Sequence, residues 1–258
     1  MGQRERAGTV EVRMDAGHGA RLTAGGVGVS DDGELRGLLL RWHAGWVLAR
    51  GYRAGVDGDA VTVRIGLPDR VTETILLSPD PALYADAAAR LGGPGRWLTA
   101  PTTDPGRTEA AAAAAGFTVH APEWLMSRPL DDHPAPAVPD GYELRLGGRP
   151  PVVVAEVVTS GGEVAALAAK GHLALNGADA VADRIFTVPV HRRRGLGAVV
   201  MGALTASARE RGARAGLLVA SAEGRRLYER LGWRVESRLA IAHWSGHAAA
   251  SGSADPLE

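Results

Sequence analysis

D-R-I-F-T-V-P-V-H-R-R-R-G-L-G-A-V-V-M-G-A-L-T-A-S-A-R-E-R-G, residues Asp183 to Gly212, reads as a strand, a tight basic turn and a helix. Ile185, Phe186 and Val188 suit a buried strand. Pro189 lacks a backbone donor, so regular pairing stops there. Gly195 and Gly197 permit conformations and close approaches that a Cβ would obstruct. Leu196, Val199, Val200, Ala203, Leu204 and Ala208 then recur at helical spacing, and Gly212 is a C-terminal stop. Anion binding is the chemistry this suits. A helix start offers unpaired N–H groups and a positive dipole end, while Arg192, Arg193 and Arg194 add charge. The competing reading is a solvated basic turn.

A second block follows at Leu217 to Trp233, L-L-V-A-S-A-E-G-R-R-L-Y-E-R-L-G-W, a strand and then a helix carrying Leu227-Tyr228 before Gly232-Trp233. Together the blocks resemble the GNAT N-acetyltransferase family. Its acetyl-CoA motif, Arg/Gln-x-x-Gly-x-Gly/Ala, stands here as Arg192-Arg193-Arg194-Gly195-Leu196-Gly197, after Val188-Pro189-Val190. The likeness is strong from Gly141 to Trp244 and weak before it. It implies an α/β (α+β) acyl-CoA acyltransferase fold, a mixed central sheet flanked by helices.

The resemblance also implies direct transfer of acetyl from acetyl-CoA, as co-substrate, to an amine. Gly195, Leu196, Gly197 and Ala198 would offer N–H groups to the pyrophosphate, with Arg192 and Arg193 nearby. Backbone groups of Val188 and Val190, flanking Pro189, would meet the pantetheine arm in a cleft between this strand and Leu217–Ala220. Tyr228 matches the tyrosine that protonates the departing thiolate. Ser221 stands where many members carry a cofactor-contacting Asn. Asp183 lies where some members carry a carboxylate base, with Glu163, His172 and an ordered water as rivals. The acceptor is read as a small-molecule or amino-acid-like primary amine. A protein or peptide amine, and a non-catalytic acyl-CoA-binding module, are the alternatives.

The chain of 258 residues is 45% hydrophobic and 22% charged, ordinary for a globular protein. Its formal net charge of +0 gives no argument for nucleic acid or an anionic membrane. With Cys 0, disulfides, a thiol nucleophile and Cys-ligated zinc are excluded; no metal is expected. No apolar h-region opens the chain, so a cytoplasmic monomer or homodimer is the expectation.

Before the motif, Leu35 to Leu48 reads as a helix with Leu35, Leu38, Leu39, Trp42 and Trp46 on one face and Asp32 as a candidate cap. Strands are expected at Thr9–Met14, Asp59–Ile65, Glu73–Leu77 and Arg96–Ala100, and two within Phe117–Leu130. Helices are expected at Asp80–Leu91 and Asp104–Ala115. Asp131 to Gly141, with Pro134, Pro136 and Pro139, reads as an extended linker. Tyr142–Leu146, Val152–Thr159 and a Glu163–Leu175 segment broken at Gly171 open the second half, and Trp233–Trp244 supplies closing strands. The order strand, helix, strand, helix, Gly-aromatic occurs twice, at Thr72–Phe117 and Asp183–Trp233, so the halves read as pseudo-repeats. The first has Pro79-Asp80-Pro81 where the second has its arginine–glycine turn, and an Asp there would repel a diphosphate. The expected division is therefore a degenerate GNAT-like domain at 1–130, a linker at 131–141, a catalytic domain at 142–247 and a tail at 248–258. Only a short segment separates the first two strands of the second half, so the Trp42/Trp46 helix is expected to wall the acceptor side.

Overall fold

The computed structural model describes residues 32–162 and 164–246. The expected strand at Thr9–Met14, Glu163 and the 248–258 tail lie outside them. The first half holds α1 (Asp32–Arg50), β1 (Arg53–Asp57), β2 (Ala60–Leu67), β3 (Arg70–Leu76), α2 (Pro81–Arg90), β4 (Arg96–Thr102), α3 (Pro105–Ala114), β5 (Phe117–Val119) and β6 (Glu123–Pro129). The second holds β7 (Tyr142–Arg149), β8 (Val152–Thr159), β9 (Leu167–Asn176), β10 (Asp179–Thr187), α4 (Leu196–Glu210), β11 (Ala215–Ala220), α5 (Ala222–Arg230) and β12 (Arg234–Trp244).

All the strands form one mixed sheet, ordered β1-β2-β3-β4-β12-β6-β11-β10-β9-β8-β7, with β5 beside β12. The pairs β3–β4 and β10–β11 are parallel; β2–β3 and β9–β10 are antiparallel. The repeat is visible in this order, but the last strand of each half is exchanged. β6 of the first half pairs with β11, and β12 of the second pairs with β4. Main-chain hydrogen bonds thus stitch the halves together in both directions.

α1 lies on one face of the sheet, across both halves. Its Leu39, Trp42 and Trp46 are buried against Val61 and Leu125 of the first half and Val181, Leu217 and Leu239 of the second. The 3.6-residue apolar spacing dictates this face. Gly45 allows the contact to close, since a Cβ there would stand 2.2 Å from Val181 Cγ2. Asp32 is the first helical residue of α1 rather than a residue preceding it. α4 and α5 cover the opposite face, where Leu196, Val200 and Leu204 meet β8 and β9, and Tyr228 meets Met126 and Leu218.

Local chemistry fixes the helix starts in the first half. Asp80 accepts a hydrogen bond from Ala82 N–H and Asp104 from Arg107 N–H, with Pro next in each case. Such caps contribute about 1 kcal/mol each.

Three expectations need correction, and one strand was not expected. β9 runs unbroken through Gly171, whose missing Cβ makes room for Ile185, Val200 and Leu204 rather than a bend. Trp233–Trp244 yields one strand, with an irregularity between Val235 and Ser237. β1 is an exposed edge strand whose R-A-G-V-D carries little apolar signal. The Pro-rich segment is extended but not a free linker. It straps α4 at Gly202, and His133 is buried, accepting a hydrogen bond from Trp233 Nε1 at 3.1 Å.

Candidate active site

β10 and β11 pair only from Asp179↔Ala215 to Ala182↔Leu218. Beyond that point β10 bulges between Asp183 and Phe186, with Arg184 in the left-handed region at φ 53. A bulge bends its strand and re-aims its edge. The strands part, and a cleft of about 450 Å³ opens between Ile185–Thr187, the start of α4 and α5.

At the cleft's wide end the chain turns through the arginines. Gly195 adopts φ 78 as N-cap of α4, a conformation that glycine takes without penalty. Among the described residues, Gly195, Leu196 and Gly197 N–H have no backbone acceptor, whereas Ala198 N–H donates to Gly195 O at 3.0 Å. Thus Gly195, Leu196 and Gly197 are the free donors, and Ala198 only lines the wall. Arg192 and Arg193 border the cleft; Arg194 does not. Arg226 and Arg230, one turn apart on α5, also line it. Their i, i+4 spacing was the available sequence signal. Glu223 stands opposite Arg192, with Oε1 3.6 Å from its Nη1.

Val188, Pro189 and Val190 fall outside the lining. Pro189 opens a 3₁₀ turn, Pro189–His191, that carries the chain away. Val188 N–H already donates to Ala168 O, and Val188 O accepts from His191 N–H, so its backbone groups are spent internally. Val190 is 74% exposed. The strand edge facing the cleft is therefore Ile185–Thr187, upstream of the expected residues. Tyr142 holds the turn by an oxygen–nitrogen contact of 2.9 Å to His191 Nδ1.

Tyr228 on α5 lines the cleft and is 6% exposed. Burial, and then the charge of Asp183, push its phenol well above the ordinary value, so it keeps its proton at neutral pH. Ser221 caps α5, its Oγ accepting from Gly224 N–H at 3.3 Å, and still lines the cleft.

On the α1 face, a second cavity of about 190 Å³ touches Ala182 and Asp183, where β10 leaves β11. Its walls come from both halves: Trp42 and Trp46 of α1, Glu73 of β3, Glu123 of β6 and Asp183 of β10. The indoles of Trp42 and Trp46 stack at 5.5 Å. Arg50 grips both oxygens of Asp183, which is thereby committed to an ion pair. Glu73 is likewise held, by Arg70 at 2.5 Å and Thr99 Oγ1 at 2.6 Å. Glu123 makes no hydrogen bond or ion pair among the described residues; burial, then Glu73, raise its carboxyl above the usual range, while Arg70 and Arg50 pull it back.

Sequence reading missed Glu123. The signal was a charged residue sharing strand parity with buried Leu125, hence facing inward. His172 pairs in register with Asp183 but lines neither cavity, and burial lowers its pKa. In the first half, the place of the arginine–glycine turn is taken by the Asp80 cap, which fills the helix start with its own carboxylate. No group of three or more potential metal ligands occurs among the described residues.

Comparison with known proteins bears on the fold. Residues 149–235 match the model of the acetyltransferase (GNAT) domain family. A GCN5-related N-acetyltransferase from Kribbella flavida superposes with a TM-score of 0.59 at 20% identity, covering 82% of this chain and 96% of its own. One from Sphaerobacter thermophilus gives 0.53 at 14% identity, with 80% and 90% covered. At these identities the likeness speaks for the fold. No curated protein matches the chain.

Proposed function

We propose that this chain, whose residues 149–235 form a GNAT acetyltransferase domain, transfers acetyl from acetyl-CoA to a small-molecule primary amine by direct attack. The observation that carries the reading is the parting of β10 and β11, which sets a cleft with free helix-start N–H groups on one face of the sheet and an acid-lined cavity on the other beside the same stretch of β10.

The diphosphate is assigned to Gly195, Leu196 and Gly197 N–H, where the α4 dipole and the surrounding arginines favour negative charge. The pantetheine arm runs along Ile185–Thr187 as an added strand meets a sheet edge. Its thioester then lies between Tyr228 and the α1-face cavity. The amine nitrogen attacks the carbonyl carbon; the new C–N bond forms and the C–S bond breaks. The sulfur leaves with the proton of Tyr228, and the amine's proton passes to Glu123, directly or through water. Tyr228 carries its proton at neutral pH, and because burial makes it a weaker acid, the transfer depends on its contact with the departing sulfur. Glu123, raised toward neutrality and unpaired, is better suited to accept one than the Arg50-bound Asp183. Asp183 instead holds α1 against β10, and so shapes the acceptor cavity.

Thiol release from acetyl-CoA across an amine panel, in wild type and Tyr228→Phe, tests the reading. Turnover that falls sharply in the variant while acetyl-CoA still binds supports it. Binding without turnover across the panel would make the chain an acyl-CoA-binding module instead.

A further inference from the structure

The α1-face cavity carries an unbalanced charge. Five ionic groups line it: Arg50, Arg70, Glu73, Glu123 and Asp183. Arg50 neutralises Asp183, and Arg70 neutralises Glu73. Arg184 approaches Asp183 only at 3.9 Å and lies outside the lining. One carboxylate, that of Glu123, remains without a counter-ion among the described residues. Beside it, the Trp42 and Trp46 indoles form an apolar wall. Arg50 gives two hydrogen bonds to Asp183 and sits 5.9 Å from the Trp46 ring centroid; Arg70 gives one to Glu73 and lies 4.4 Å from the Trp97 ring centroid, with its buried Nε–H unpartnered among the described residues.

We infer that the acceptor is a monocationic primary amine with a compact apolar body and no carboxylate of its own, its ammonium paired with Glu123 and its body against Trp42 and Trp46. This rests on the acceptor side proposed above. A cation restores neutrality to a cavity of net charge −1, and indole faces favour both cations and apolar groups. An amino acid would bring a fourth carboxylate into a space that already holds three against two guanidinium groups. Long or peptidic acceptors are disfavoured by the volume of about 190 Å³.

The test is direct binding in the absence of acetyl-CoA, by calorimetry and tryptophan fluorescence. The probes are 2-phenylethylamine, n-butylamine and phenylalanine. The amines should bind at least about tenfold more tightly than phenylalanine. Glu123→Gln should remove most of that preference, and Glu123→Asp should keep part of it if the glutamine variant fails to fold. Equal or tighter binding of phenylalanine, or no binding of either amine, overturns the inference. Thiol release distinguishes its failure from that of the transfer reaction. Amine binding without thiol release leaves this inference standing and refutes the reaction, whereas thiol release that favours amino acids does the reverse.

Discussion

Arg50 binds Asp183 through two parallel hydrogen bonds, Nε to Oδ2 at 2.6 Å and Nη2 to Oδ1 at 2.8 Å, and so ties α1 of the first half to the central strand of the second. Four residues earlier on β10, Arg41 grips Asp179 in the same way, with distances of 2.9 and 2.5 Å. The helix that walls the acceptor cavity is thus clamped to the strand that borders the cofactor cleft.

Arg50→Met should expose the weight of that clamp. It leaves the largely buried Asp183 without its partner, and is expected to lower unfolding free energy by about 3 kcal/mol. Arg50→Met combined with Asp183→Asn should recover part of the loss, giving a non-additive double-mutant cycle. Denaturant titration of the four proteins measures it; strict additivity would argue that the pair is not coupled.

Tyr228→Phe removes one hydroxyl from the cleft lining without changing the packing against Met126, Leu218 and Trp233. Loss of the acid should lower kcat by about 10²-fold or more, with acetyl-CoA affinity little changed. Steady-state kinetics and calorimetry on the same preparation check both parts.

The acid limb of kcat/KM should follow Glu123. A proton acceptor works only as the carboxylate, and burial beside Glu73 holds its folded pKa above the usual carboxylate range. Activity is therefore expected to fall as pH drops through that raised value, above the range in which ordinary carboxylates protonate. Glu123→Gln should lower kcat/KM and abolish the limb. A limb unchanged in the variant would assign the titration to another group.

His133 carries a stability prediction. Its Nε2 accepts from Trp233 Nε1–H, and its Nδ1 lies 2.9 Å from Pro134 O, an arrangement that fits the neutral ring. Burial depresses its pKa, and nearby Arg128 and Arg209 lower it further, while Pro134 O and Asp132 act in the opposite direction. A depressed folded pKa means that the unfolded chain binds the proton first. The stabilisation is complete above the ordinary histidine value of about 6.5 and is lost as pH falls below it toward the folded pKa. His133→Gln, which does not titrate, should flatten Tm against pH across that window.

The strap that His133 anchors lies hard against α4. A Cβ on Gly202 would stand 2.8 Å from Ala135 Cα and 2.9 Å from Pro134 O, both main-chain atoms that cannot rotate aside. Gly202→Ala is expected to destabilise by about 1–3 kcal/mol despite the better helix propensity of alanine. A gain in Tm would mean that the strap is loosely held.

Much of this arrangement was readable residue by residue. Asp80-Pro81 and Asp104-Pro105 announced their helices because capping is local chemistry. The α1 face from Leu35 to Trp46 and the arginine–glycine turn were legible for the same reason. The exchange of β6 and β12 was not, because an edge gives no sign in sequence of which neighbour it will meet. Nor was the choice of base. Asp183 and Glu123 look alike as letters, and only the arrival of Arg50 from 133 positions away separates a paired carboxylate from a free one. Val188 and Val190 were read as cleft residues, whereas the 3₁₀ turn at Pro189–His191 carries the chain away and Val188 spends its backbone groups on Ala168 and His191, pairings that leave no motif.

A crystal structure with acetyl-CoA bound tests the central claim most directly. The account predicts diphosphate oxygens within hydrogen-bonding distance of Gly195, Leu196 and Gly197 N–H, and the thioester where β10 and β11 part, between Tyr228 and the Glu123 cavity. Ligand density anywhere else, or a diphosphate that leaves those three amides unpaired, would contradict it.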